Sequence, residues 1–139
     1  ATTFDEASGA VVSCEPERPN LAVVPLRREG LTVRSASAQS DPLLGWYCQK
    51  DRQPPYLPAT TVLHQRGGEG LQPFLTLLLP LKPGAANPVA SVRETAAGAE
   101  VLLSDGRRWQ IEAGADPAGV IGFREILAEG SLGRQVSGG

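Results

Sequence analysis

Few of the 139 residues have side chains suited to chemistry. The single histidine is His64. A zinc site needs three or four ligands at short, regular spacing, and no Cys/His cluster accompanies it. No Gly-x-Ser-x-Gly elbow marks a serine nucleophile. Cys14 and Cys48 lie too far apart in sequence for a metal motif, whereas an even count permits one disulfide between them or two small buried thiols. A glycosidase needs a pair of facing carboxylates. Asp5, Glu6, Glu15, Glu17, Asp41 and Asp51 fall on ends and loops with no shared geometry. These residues lead to the expectation of no catalytic group, no metal and no cofactor.

Binding chemistry is better represented. An aromatic ring offers a flat apolar face to the C–H groups of a pyranose, and its polar tip can stay in water. Trp46, Tyr47, Tyr56 and Trp109 are the candidates. Trp109 reads as core. Trp46 and Tyr47 are adjacent, so on a strand they point to opposite faces. Tyr56 sits among Pro54, Pro55 and Pro58, which stiffen its backbone. Lys50, Arg52 and Arg66 supply positive charge near these rings in sequence. Trp46, Lys50, Arg52, Tyr56 and Arg66 therefore form the candidate ligand-binding set, and an acidic polysaccharide is the polymer they suit. The plainer alternative is a set of solvated surface charges around a structural aromatic. Gly67-Gly68-Glu69-Gly70 reads as a turn, because it lacks the lysine and hydroxyl of a phosphate loop.

The elements that must position these residues read as β throughout. Strands are expected at 10–14, 21–26, 31–35, 45–49, 59–66, 72–79, 89–94, 100–104 and 107–113. Their spacing, with turn residues between, is that of an antiparallel β-sandwich of about 8–10 strands. Residues 120–127 suit either a strand or one short C-terminal helix. The clearest local feature is Asp105-Gly106, a pair suited to a two-residue hairpin turn. Val101 and Leu103 alternate before it, and Trp109 and Ile111 after it. Arg108, Gln110 and Glu112 then meet water, and the register is set because a one-residue slip would bury them. In the strand 72–79 both faces are apolar, which predicts cover on both. The segments 35–44 and 50–57 read as loops. One sandwich domain is expected over 1–129, with a serine- and glycine-rich disordered tail over 130–139.

Bulk composition agrees with a globular domain and removes some partners. The hydrophobic fraction is 41% and the charged fraction 20%. Glycine (16) and proline (12) recur without a period, which means many turns. The formal charge of -2 speaks against a nucleic-acid partner, which asks for a concentrated basic face. The longest apolar run, 74–81, is far short of the roughly 20 residues that span a bilayer as a helix, so no membrane partner is expected. Methionine is absent, position 1 included, which leads to the expectation that Ala1 lies inside a longer gene product.

The order of motifs adds to this reading. Asn20-Leu21-Ala22-Val23 leads into a strand and Gly45-Trp46-Tyr47 into a turn. Pro58-Ala59-Thr60-Thr61 opens the next strand, and Pro73-Phe74-Leu75-Thr76-Leu77-Leu78-Leu79-Pro80 follows a glycine turn. Over about residues 20–113 this order resembles the C-terminal β-sandwich of heparinase II/III-like polysaccharide lyases. In that family a glycine-aromatic-serine-x-x-tyrosine-glycine segment precedes the two strands. Here Cys48 stands in place of the serine, and a passage through Pro54, Pro55 and Tyr56 replaces the tyrosine-glycine pair. The resemblance implies a bacterial, periplasmic or secreted parent that cleaves uronic-acid polymers such as glycosaminoglycans or alginate by β-elimination. It implies that an N-terminal α/α toroid in the same chain carries the catalytic groups. This chain is then the accessory, non-catalytic sandwich that packs on the toroid. A stand-alone carbohydrate-binding or adhesion-type sandwich is the alternative.

Overall fold

The computed structural model describes residues 2–50, 53–113 and 121–137, with the backbone alone at 49, 50 and 53. Among the described residues every regular element is a strand, and the strand pairs within residues 10–137 are antiparallel. The all-β expectation holds, and 121–126 is strand rather than helix. The expectation of one domain meets two compact units: Gly30–Gln72 with the first residues of the chain, and Thr3–Glu29 with Pro73–Gly139.

The larger unit is a two-sheet sandwich. Its first sheet has the order β1 (Thr2–Asp5), β2 (Ala10–Ser13), β3 (Asn20–Pro25) and β10 (Thr76–Leu81). The second runs β11 (Val89–Thr95), β12 (Gly98–Leu103), β13 (Arg108–Ala113), β14 (Ile121–Ile126) and β15 (Leu132–Ser137). One cluster fills the space between them: Ala22, Val24, Leu26 and Leu81 from one side, Val101 and Ile111 from the other. Each such side chain contributes about 1.5–3 kcal/mol by leaving water. The period-2 pattern dictates this core. Val101 lies directly opposite Trp109 and Ala99 opposite Ile111, while Arg108 and Glu112 on the other parity are exposed.

Several details depart from the sequence expectations. The turn at Asp105-Gly106 is a residue longer than expected: Leu103 and Arg107 form the last backbone pair, and Gly106 takes a φ of +87°. The Asp105 carboxylate accepts from the Arg107 backbone and guanidinium, which closes the loop. The strand expected at 72–79 begins at Thr76 and is covered on one face: Leu77 and Leu79 pack on the core, whereas Leu78 is 59% exposed. The reason is position. β10 is an edge strand of a sheet whose other face has no partner sheet within the sandwich. The tail expected to be disordered carries β15, paired along β14 with Val136 opposite Phe123. Backbone pairing outweighs a serine- and glycine-rich composition there.

The smaller unit falls between β3 and β10 in the chain. It consists of three ribbons: β4 (Leu31–Ser37) with β9 (Thr60–Arg66), β5 (Gln39–Ser40) with β6 (Leu43–Leu44), and β7 (Trp46–Lys50) with β8 (Gln53–Pro58). The segments read as loops at 35–44 and 50–57 are therefore largely short hairpins. Prolines 54, 55 and 58 are tolerated in β8 because both strands of a lone ribbon are edges, where a missing N–H donor need not break a ladder.

Candidate functional site

The aromatic residues come together on the β7–β8 hairpin. Trp46 pairs with Pro58, Tyr47 with Leu57 and Cys48 with Tyr56. Directly paired residues share a face, and strand residues two apart do too. Trp46, Cys48, Tyr56 and Pro58 thus occupy one face and Tyr47 and Leu57 the other. Trp46 and Tyr56 are diagonal neighbours, about 7–8 Å apart by ribbon geometry. They are 38% and 52% exposed. The Trp46 indole N–H donates to the Gln39 carbonyl at 2.9 Å, which orients the ring and leaves its face free of that bond.

The hairpin starts at Gly45, whose backbone is clamped. Its carbonyl accepts from the Ala38 and Ala59 amides at 3.0 and 2.8 Å. Its φ is +73°, and a Cβ there would lie 2.6 Å from the Ala36 carbonyl oxygen. Glycine is required on both counts. This explains the glycine-aromatic pair in the sequence: the glycine makes the corner and the aromatics follow it.

The cations of the candidate set come from different elements. Arg66 pairs with Leu31 at one end of the β4–β9 ribbon, whereas the hairpin leaves from the Ser37–Thr60 end. Six residue steps along the strand separate Thr60 from Arg66, roughly 20 Å. Arg66 and the hairpin root at Thr60 thus stand at opposite ends of β9. Lys50 lies on β7 opposite Gln53. Arg52 falls outside the described residues. Cys14 and Cys48 are both thiols, Cys14 exposed and Cys48 half-buried. The Cys14 sulfur lies 3.4 Å from the Thr3 hydroxyl, and the disulfide that the even count permitted is not formed. His64 sits mid-ribbon opposite Val33, and its Nε2 is buried without a hydrogen-bond partner among the described residues. Among the described residues no group of three or more His, Cys, Asp or Glu side chains could hold a metal ion.

A second region, unmarked in the sequence reading, is a cavity of about 560 Å³ in the sandwich, lined by Thr3, Asp5, Cys14, Asn20 and Asn87 among others. Its polar walls are already engaged. The Asp5 carboxylate accepts from the Ser8 hydroxyl at 2.9 Å and the Asn87 amide at 3.2 Å. Asn20 accepts from the Glu15 amide at 2.7 Å and donates to the Glu15 carbonyl at 2.8 Å. Burial opposes the charge on Asp5, but bonds from Ser8, Asn87 and Ala7 outweigh it and hold its pKa below the usual value. Groups so committed act as staples between the N-terminal turn and the β10–β11 loop. The Asp-x-x-Ser spacing at 5–8 is the local signal that marks such a turn.

Comparison with family models, with curated proteins and with solved structures gives no match.

Proposed function

We propose that this chain is a non-catalytic β-sandwich module that contacts an acidic polysaccharide through the β7–β8 hairpin. Its parent is a lyase of the heparinase II/III-like kind, whose catalytic toroid this sandwich supports. One observation carries the contact: Trp46 and Tyr56 stand exposed and diagonal on one face of a rigidly rooted hairpin. Two rings at that separation suit successive sugar units, and their cost of ordering is low because glycine, proline and the Gln39 bond already restrict them. The lyase connection rests on the order of motifs from Asn20 to Pro80 alone. A free-standing carbohydrate-binding or adhesion module is the second reading, favoured by a sandwich that closes its own core.

The test is an NMR titration of the full chain with uronate oligosaccharides. The Trp46 indole resonance and the β7–β8 amides shift saturably, and Trp46→Ala and Tyr56→Ala each weaken the binding. Resonances of the hairpin that stay unmoved at saturating oligosaccharide overturn the reading.

A further inference from the structure

We infer that the pocket between the β4–β9 ribbon and the β5–β6 hairpin binds a single carboxylate-bearing sugar unit, with Arg34 as the ligand of the carboxylate. The carbohydrate reading above supplies the sugar ring; the acid follows from Arg34 itself.

Arg34 lies on β4 directly opposite Leu63, and Gln65 is the next residue of β9 on that face. The cavity measures about 190 Å³ and is lined by Arg34, Gln39, Pro42, Leu44, Leu63 and Gln65, together with two neighbours on β4. Sites for drug-sized ligands start at about 300 Å³, so this one suits one ring or the end of a chain. Among the described residues its lining carries the Arg34 guanidinium and no carboxylate.

The guanidinium is uncommitted. Other arginines are engaged: Arg28 on the Ala7 and Glu6 carbonyls, Arg93 on Glu100, Arg107 on Asp105 and Glu125. Arg34 has no hydrogen bond or ion pair among the described residues, and neither does the Gln65 amide. A planar guanidinium fork matches a carboxylate in two parallel bonds, which a lysine cannot do. The Gln65 amide offers donors and an acceptor to ring hydroxyls, and Leu44, Leu63 and Pro42 meet the C–H face. The arrangement combines one fixed charge, a polar amide and an apolar floor, the requirements of a uronate ring. The pocket also adjoins the aromatic hairpin, because Gln39 lines it and accepts the Trp46 indole bond. A polymer whose end occupies the pocket can run on toward Trp46.

The experiment is an NMR titration of the full chain with glucuronate, glucose and inorganic phosphate in parallel. Glucuronate shifts the amides of Ser35, Ala36, Leu63 and Gln65 saturably; glucose and phosphate do not. Removing a charge-assisted bidentate contact in Arg34→Gln weakens glucuronate by about tenfold or more, with Arg34→Lys between the two. Arg34 is exposed, so both variants fold. Equal shifts in Arg34→Gln overturn the proposal, and so does the absence of saturable shifts in the unmodified chain. Phosphate reproducing the glucuronate pattern overturns it as well, since the pocket is then a general anion site. The monosaccharide does not need the hairpin, and Tyr56→Ala leaves every residue that lines the pocket in place. Either site can therefore fail while the other stands.

Discussion

The two units of this chain are built on different principles. Every fully buried hydrophobic side chain among the described residues belongs to the sandwich, from Ala10 and Leu26 to Val101 and Ile111. Among its described residues the 30–72 unit has none, although it contains more than half as many strands. It holds together by backbone ladders, a glycine corner and half-buried side chains such as Leu63 and His64. Hydrophobic burial therefore stabilises one unit, and hydrogen-bonded ribbons shape the other. Ribbons without a core open more readily, which is where binding elements are commonly found. The exposed aromatics and the uncommitted Arg34 both lie in that unit.

Truncating the core should produce the largest effect. Leu26 is 1% exposed, and Leu26→Ala is expected to cost about 2–5 kcal/mol. Urea denaturation monitored by Trp109 should register it. A loss below about 1 kcal/mol would mean that the sandwich core is not what stabilises this unit.

Gly45→Ala tests the other side of the comparison. Positive φ alone costs a non-glycine residue about 1–2 kcal/mol, and the Cβ also meets backbone at Ala36, Ser37 and Ala59. Amide exchange should accelerate along β4, β7, β8 and β9 while β12 and β13 stay protected. Uniform acceleration in both units would show that they unfold together.

Acid should act on the sandwich first. Among the described residues, the carboxylates held below their ordinary values are Asp5, Glu100, Asp105, Glu125 and Glu129, all in that unit. For Glu100 the leading cause is the hydrogen bond from Arg93; for Glu125 it is the bond from the Trp109 indole. Native values depressed in this way add stability above the unfolded values near about 4, and that stability is lost as pH falls through the native values. Asp5→Asn should therefore flatten the acid limb of a stability–pH curve. An unchanged limb would remove Asp5 as a contributor.

The smallest effect is expected at Arg93–Glu100. The ion pair is 3.0 Å long, but Arg93 is 71% exposed in its side chain. Exposed pairs contribute about 0.2–1 kcal/mol, so a double-mutant cycle should return a coupling in that range. A coupling well above it would show that the outer face of the second sheet is stabilised by more than its backbone.

Legibility followed locality. The β12–β13 hairpin could be read because Val101, Leu103, Trp109 and Ile111 alternate across a marked turn, and each neighbour is close in sequence. Gly45 could be read as a corner for the same reason. Arg66 and Tyr56, ten apart in sequence, lie on different ribbons, an assignment that sequence proximity does not carry. Arg34 escaped notice because its partners in the pocket, Gln39, Leu44 and Gln65, come from three other strands and share no motif.

The sequence by itself determined that this chain is all-β, where most strands run, and which parity of the β12–β13 hairpin faces the core. Those properties depend on residue type and a period of two, which neighbours along the chain enforce. Tertiary structure alone decided that β3 pairs with β10 across the 30–72 unit, and that β10 leaves Leu78 in water. It also gathered Trp46 with Tyr56 on one face of a hairpin, and left Arg34 in a pocket. Such outcomes depend on which distant backbones close a ladder, and no local pattern of side chains encodes that choice.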